Sequence, residues 1–375
     1  MFDLTPYNTF GLAVQSKDGV VISSLADLKR VQADNVLILG HGSDVLFTDD
    51  YNGTVLINQI KSLSVEKDGD KFIVKAGAGI VLDSLIDSLI SQNIFGLENL
   101  SSIPGTVGAA PIQNVGAYGV EIGDVIKEVV TYDLQRHITQ TFSKEECEFA
   151  YRSSYFKTHK SRPLVITQVV FELSSKFSPK LVYKGLSGES FTTALELRNK
   201  IVGLRKEKLP DPSLVGNAGS FFKNPIVDKS EVDALRQKYE SIPVYDAGDG
   251  LYKLAAGWLI EKAGCKGITH GNVGTWEKQS LVIVNRGNAK PHEVVALAKY
   301  IMAEDDIATL TALVQRMVDK SGESMGFDAQ AWLGQWLLEV PPALGHRRPL
   351  DVLSEPGGLD LVRNFLQRAQ SGAYS

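Results

Sequence analysis

The sequence predicts an α+β protein that carries a separate all-helical tail. Short apolar runs bounded by turn formers read as strands. Helical three- and four-residue spacing recurs between them without a regular βαβ alternation. After about residue 303 every strand signal stops.

Taken in order, Val36-Leu37-Ile38-Leu39 is expected as a buried strand entering Gly40-His41-Gly42-Ser43. Residues 45–47 and 54–57 follow as strand candidates, parted by the turn-forming stretch 49–53. Phe72-Ile73-Val74 leads into Gly77-Ala78-Gly79, after which Leu82, Leu85, Ile86, Leu89 and Ile90 share one helical face. Strands dominate 125–175, including 165–171, and 194–205 reads as a helix stopped by Leu209-Pro210-Asp211-Pro212. Between 230 and 300 the elements alternate, with 254–262 expected as helix and 281–284 as strand. In the tail three sets keep helical spacing: Ile307, Leu310, Leu313, Val314, Met317 and Val318; Trp332, Leu333, Trp336 and Leu337; Leu359, Val362, Phe365, Leu366 and Ala369.

The bulk numbers exclude several function classes. At roughly 100–200 residues per domain, 375 residues suggest two or three domains. Thirty-nine Lys+Arg against 44 Asp+Glu leave a net charge of −5, which gives no basic excess for a nucleic-acid or anionic-membrane binder. Cys147 and Cys265 form no CxxC pattern, and His41, His159 and His270 have no paired spacing, so neither a disulfide scaffold nor a metal site is expected. No apolar run approaches the roughly 20 residues that span a bilayer, and the first residues lack a signal-peptide pattern. A cytoplasmic protein is expected.

The chemistry concentrates in two glycine-rich stretches, 39–47 and Ile103-Pro104-Gly105-Thr106-Val107-Gly108-Ala109-Ala110-Pro111-Ile112-Gln113-Asn114-Val115-Gly116-Ala117-Tyr118-Gly119. Glycine lets the backbone approach a ligand closely, so that several N–H groups can converge on phosphate oxygens. Residues 99–126 contain no Lys or Arg, so a pyrophosphate bound here would be met by amides and hydroxyls from this stretch. Val45 stands where a GxGxxG fingerprint needs its third glycine, and no P-loop GK[ST] exists. A third stretch, Gly216-Asn217-Ala218-Gly219-Ser220-Phe221-Phe222-Lys223-Asn224-Pro225, sets a serine on a glycine turn beside two phenylalanines. There a hydroxyl can serve as proton donor, although it is not a GxSxG nucleophile. Arg152, in Tyr151-Arg152-Ser153-Ser154, and the scattered Lys208, Lys223, Lys253 and Lys266 are ordinary surface cations unless a substrate diphosphate gathers them.

Tyr7-Asn8-Thr9-Phe10-Gly11, the two glycine-rich stretches, Tyr151-Arg152-Ser153, Lys208-Leu209-Pro210-Asp211-Pro212, residues 216–225 and Lys253-Leu254-Ala255-Ala256-Gly257-Trp258-Leu259-Ile260 occur in one order. Over about residues 1–302 that series resembles the UDP-N-acetylenolpyruvoylglucosamine reductase family, in its longer subtype with a tyrosine loop over the substrate. The resemblance implies a vanillyl-alcohol-oxidase-like FAD-binding fold, with FAD subdomains at 1–62 and 63–208 and a substrate subdomain at 209–302. It implies FAD contacts from Gly40, His41, Gly42, Ser43 and Asp44, then from Ile103, Pro104, Gly105, Thr106, Gly108, Ala109, Gln113, Asn114, Gly116, Ala117, Tyr118 and Gly119. NADPH would reduce the flavin, and UDP-N-acetylglucosamine enolpyruvate would then take its place. Ser220 would protonate the substrate and Arg152 would stabilise its carboxylate. Tyr183, Lys208, Lys223, Asn224, Lys253 and Gln279 would bind the nucleotide sugar.

The resemblance breaks near residue 302. The family's terminal Leu-Glu-Pro-Glu-Val-Arg-like strand, whose Glu is a third catalytic group, has no counterpart. Leu338-Glu339-Val340-Pro341-Pro342 lies inside the Trp-rich helical block, so the role does not pass to Glu339. That block, 303–375, instead resembles the toxin-binding C-terminal domain of Xre/ParS-type antitoxins. The match is carried by Trp332-Leu333-x-x-Trp336-Leu337, Pro342-Ala343-Leu344-Gly345-x-Arg347-Arg348-Pro349-Leu350-Asp351 and the ending Gln370-Ser371-Gly372-Ala373-Tyr374-Ser375. A toxin or a second copy of the chain is the partner this implies, and a generic helical appendage with a tryptophan core is the plainer alternative.

Overall fold

The computed structural model describes residues 1–32, 35–159, 162–303, 310–311, 313–315, 317–318, 327–355 and 357–370. The chain packs as two units, 1–219 and 220–375.

In the first unit, Phe2–Asp3 (β1), Gln15–Ile22 (β2), Val36–Leu39 (β3) and Tyr51–Asn58 (β4) form a sheet in the order β1-β2-β4-β3, with the short helix Leu25–Leu28 (α1) between β2 and β3. β4 runs parallel to both β2 and β3, so both its edges are taken and Val55, Leu56 and Ile57 are buried. Residues 45–47, expected as a strand, are loop. A parallel β3–β4 pair needs a crossover; the chain makes it between Leu39 and Tyr51, and Phe47 is its buried anchor.

Leu63–Asp68 (β5) and Lys71–Gly77 (β6) precede the helix Leu82–Ser91 (α2). A two-residue hairpin, Gly116–Ala117 (β7) and Val120–Glu121 (β8), is followed by Ile126–Asp133 (β9), Ile138–Ser143 (β10), the turn of helix Tyr155–Thr158 (α3) and Leu164–Ser174 (β11). The second sheet has the antiparallel order β10-β9-β11-β6-β5. Leu82, Leu85, Ile86 and Leu89 of α2 belong to the same core as Val74, Val129, Val169 and Phe171 of this sheet, which is the face their spacing predicted. Asn58 Nδ2 donates to Ile166 O at 2.8 Å, tying the two sheets. Ala194–Lys208 (α4) starts on a Thr193/Glu196 capping box and ends just before Pro210, which cannot continue a helix.

The carboxylate of Asp133 is almost wholly enclosed, and accepts from Arg162 at 2.8 Å and from the backbone N–H groups of Gln135 and Arg136. Burial raises its pKa, but these donors outweigh that and hold it below the ordinary aspartate range. A lowered native pKa supplies stability above the unfolded value, and that stability is lost as pH falls through the native one. Asp133→Asn should therefore show a shallower loss of stability than the parent below about pH 4, measured by denaturant titration across pH.

Asn217–Ser220 (β12) carries the chain into the second unit. Ile226–Val227 (β13), Val244–Gly248 (β14) and Leu251–Leu254 (β15) form one sheet, with Lys229–Lys238 (α5) between β13 and β14. Thr269–His270 (β16), Val273–Trp276 (β17) and Gln279–Asn285 (β18) pair antiparallel. The helix expected from 254 begins later, as Ala256–Lys262 (α6), because Leu254 pairs with Val244 and the Asn224 side chain accepts the Ala256 N–H at 3.0 Å. Pro291–Met302 (α7) follows.

In the tail the described residues carry helix and no strand: Leu310, Val314 and their helical neighbours, then Ala329–Trp336, Pro349–Leu353 and Gly358–Gln370. Trp332 stacks on Trp336 (5.9 Å between centroids) and Trp336 on Phe365 (5.7 Å), while Leu333, Leu337, Leu350, Val362 and Leu366 are buried. Lys299 of α7 pairs with Asp351 at 2.5 Å, so this module docks on the helix that precedes it. Glu339 is exposed in the turn after Ala329–Trp336. Asp305, Asp306, Ile307 and the ending 371–375 lie outside the described residues.

Candidate active site

The first glycine-rich loop is shaped by the N-terminal corner. Asn8 is buried and fully engaged: its Nδ2 donates to Leu4 O and Leu12 O, and its Oδ1 accepts from Leu12 N. Thr9 then reaches two segments at once, donating its N–H to Gly42 O at 3.1 Å and its hydroxyl to Asn217 O at 2.7 Å. Gly42 sits at φ 61°, with the Tyr7 carbonyl oxygen 1.9 Å from where a Cβ would stand. Only glycine fits there.

The second loop is threaded along the start of α2. Leu82 N donates to Gly105 O, Val107 N to Ile80 O and Gly108 N to Ala78 O, and a Cβ on Gly108 would strike that of Ala78 at 2.4 Å. The two loops touch: a Cβ on Gly40 would lie 2.5 Å from the Thr106 hydroxyl, and one on Gly105 3.1 Å from that of Ser43. Where they meet, the backbone N–H groups of His41, Gly42, Ser43, Asp44, Gly105 and Thr106 donate to no described residue, although Gly42, Gly105 and Thr106 are buried. Buried amides left unpaired are costly, and a convergent set of them fits an anionic ligand such as the pyrophosphate of FAD.

Ser102 (φ 60°) just before the second loop, Asn114 (φ 46°) and Tyr118 (φ 51°) within it, and Arg152 (φ 53°) all hold left-handed backbone without being glycine. Such conformations survive only where surrounding contacts dictate them. For Arg152 the contacts are explicit. Its Nη2 donates to Gly116 O at 2.7 Å, Lys157 Nζ caps its own carbonyl at 3.0 Å, and Ser154 Oγ bonds Ile112 O at 2.7 Å. Asn114 completes the lacing, with Nδ2 donating to Glu121 at 2.6 Å and Oδ1 accepting from Gly123 N. The structure thus brings Arg152 against the second glycine-rich loop, some 36 residues away in sequence.

Tyr183 stands edge-on to Tyr118 at 4.9 Å, and Val182 closes over Gly119. Behind them is a group that sequence reasoning missed. Arg205 donates Nε to Ser102 O at 3.1 Å and interacts with the Tyr118 hydroxyl, and its burial lowers its pKa. One turn pair earlier on α4, Arg198 forks onto Asp83, whose other contact is the Ser102 N–H. The signal was present: both arginines share the face of the buried Leu197 and Ile201, where a solvated cation would not be expected. Lys208, at the end of α4, is exposed.

In the second unit, two of the predicted residues, Asn224 and Gln279, meet the start of α6. Asn224 caps it, the Gln279 Oε1 lies 3.3 Å from the position of a Cβ on Gly257, and Ser280 Oγ donates to Gly257 O. Phe221 N donates to Leu281 O at 2.7 Å, which fixes the exposed Ser220 beside β18. Lys223 is exposed, and Lys253 is opposite Ile226 in the β13–β15 pair.

Residues 21–133, which hold both glycine-rich loops, match the model of the FAD-binding domain. The chain is therefore an FAD-binding flavoprotein. Residues 211–307 match the C-terminal domain of UDP-N-acetylenolpyruvoylglucosamine reductase, and 325–372 match the toxin-binding C-terminal domain of Xre/MbcA/ParS antitoxins. The UDP-N-acetylenolpyruvoylglucosamine reductase of Chromobacterium violaceum is 42% identical over 80% of this chain and 92% of its own length. That of Shewanella oneidensis is 39% identical over 86% and 98%. The crystal structure of the Thermus caldophilus enzyme superposes with a TM-score of 0.57 at 24% identity, over 80% of this chain and 92% of that one, and shares its fold. The chain belongs to the UDP-N-acetylenolpyruvoylglucosamine reductase family, and the α+β FAD-binding architecture expected from the sequence is the one found. No helix among the described residues is long and apolar enough to cross a membrane.

Proposed function

We propose that this chain is a cytoplasmic, NADPH-dependent reductase that converts UDP-N-acetylglucosamine enolpyruvate to UDP-N-acetylmuramate. The observation that carries the reading is the set of unpaired amides at the junction of the two glycine-rich loops, with Arg152 laced to the second of them. Residues 1–62 and 63–208 are the FAD subdomains and 209–302 the substrate subdomain. FAD held by the two glycine-rich loops would supply hydride chemistry between NADPH and the vinyl carbon of the substrate. Hydride addition to a double bond beside a carboxylate builds negative charge, which a preorganised cation must meet. Arg152 is that cation, and the Ser220 hydroxyl gives the proton to the adjacent carbon. Tyr183, Lys208, Lys223, Asn224, Lys253 and Gln279 hold the nucleotide sugar. Among the described residues no Glu-bearing strand follows residue 302, so slow turnover is the expected result.

An anaerobic titration tests this. NADPH should bleach the flavin, and the enolpyruvyl nucleotide should restore its colour. Ser220→Ala should leave bleaching intact and slow the return about 10²–10⁴-fold, the range for a positioned general acid. Colourless protein that takes up no FAD, or reoxidation only by a different substrate, would sink the reading. The antitoxin-type match supports a second activity for 303–375, binding a toxin or a second copy of the chain. Capture of neither by the intact protein would remove it.

A further inference from the structure

We propose that Asp44 is a positioning residue which, through Gln113, latches the first glycine-rich loop to the second and so holds the turn that carries Arg152. The inference rests on the functional reading above and assigns a device within the same site.

Gln113 Nε2 donates to Asp44 Oδ2 at 2.5 Å across 69 residues of chain. The next residues of the second loop, Asn114 and Gly116, are those that bind the 150–152 turn: Asn114 Nδ2 reaches Ala150 O at 3.2 Å, and Gly116 O receives the Arg152 guanidinium. Ile112, on the other side of Gln113, takes the Ser154 hydroxyl. Asp44, the second glycine-rich loop and the Arg152 turn therefore form one continuous hydrogen-bonded path, with Gln113 as the link to the first loop. Gly40 against Thr106 and Gly105 against Ser43 leave no slack between the loops, so the latch closes surfaces that already fit.

Charge makes Asp44 more than a spacer. Asp44 keeps an exposed edge, and partial desolvation raises its carboxyl above the usual value, opposed by the Gln113 hydrogen bond and by the positive charges of Lys157 and Arg152. Among the described residues those two cations are the charged groups whose fields reach it, and Lys157 in turn holds the Arg152 carbonyl. Asp44 is thus an anion within the fields of both Lys157 and Arg152. An ionised Asp44 moderates the pull of that guanidinium on an incoming carboxylate, and protonation releases it.

The test compares Asp44→Asn, Asp44→Ala and Gln113→Ala with the parent. FAD affinity is read by absorbance, and hydrogen–deuterium exchange is followed at residues 40–48, 112–118 and 150–157. The two alanine variants should weaken FAD about tenfold or more and speed exchange in all three segments, while Asp44→Asn, which still accepts from Gln113, restores both. Parent-like FAD affinity and exchange in both alanine variants overturns the proposal. In holoenzyme the parent should bind the enolpyruvyl nucleotide more tightly as pH falls through the Asp44 titration. Asp44→Asn should bind several-fold tighter than the parent at pH 8 and lack that dependence. A parent that does not bind the nucleotide at any pH defeats the functional reading, and the exchange arm still decides the latch.

Discussion

Replacing residues 303–375 with a terminal strand of the family's Leu-Glu-Pro-Glu-Val-Arg type should raise turnover about 10²–10³-fold, the scale of one electrostatic group in a dehydrated active site. The expectation follows from charge accounting. On the proposed mechanism Arg152 would supply a cation for the developing charge and Ser220 a proton for the adjacent carbon, and the family's terminal carboxylate would be the third group. Glu339 does not substitute, because it is exposed in a turn between tail helices. The control is the same graft with Gln in place of Glu. A gain with Glu alone assigns the defect to the carboxylate, an equal gain with both assigns it to the strand, and no gain with either means the site is limited elsewhere. Steady-state NADPH oxidation with the enolpyruvyl nucleotide provides the readout.

Gly42→Ala should purify with little or no flavin, its FAD affinity down about 10²-fold. Left-handed backbone costs alanine roughly 1–2 kcal/mol. The added methyl also meets the Tyr7 carbonyl at 1.9 Å, and relieving that overlap costs roughly another 1–3 kcal/mol. Tyr7 cannot simply retreat, since Asn8 beside it is bonded to Leu4 and Leu12 and Thr9 is bonded to both Gly42 and Asn217. Gly69→Ala is the matched control: the same backbone hand at φ 58° with nothing within 4 Å of the new methyl, and so strain without collision. Equal flavin content in the two variants would show that the fit at the Tyr7 corner is not what shapes the loop.

Much of this was legible in the chain. The apolar face of α2, the stop of α4 before Pro210, the strand β11 and the helical character of the tail follow from periodicity and breakers, which act over a few residues and need no partner to be read. The glycine-rich loops were legible for the same reason, since dense glycine signals close backbone approach whatever is approached. Residues 45–47 were not, because an apolar triplet serves a strand or a buried crossover equally well, and the filled edges of β4 decided between them. Arg205 and Arg198 escaped notice because an arginine in a helix is ordinarily solvated; their meaning came from Ser102, Tyr118 and Asp83, up to 115 residues away.

The residues by themselves determined the class of the protein, where its glycine-rich stretches lie, and that its tail is helical. These are properties of local pattern and of motifs in order. Tertiary structure decided which groups act together within each unit: Asp44 with Gln113, Gly116 with Arg152, Tyr118 with Tyr183 and Arg205, and Asn224 with the first turn of α6. Hydrogen bonds and charges act through space over a few ångströms, and no spacing along the chain encodes a meeting that only packed sheets can arrange.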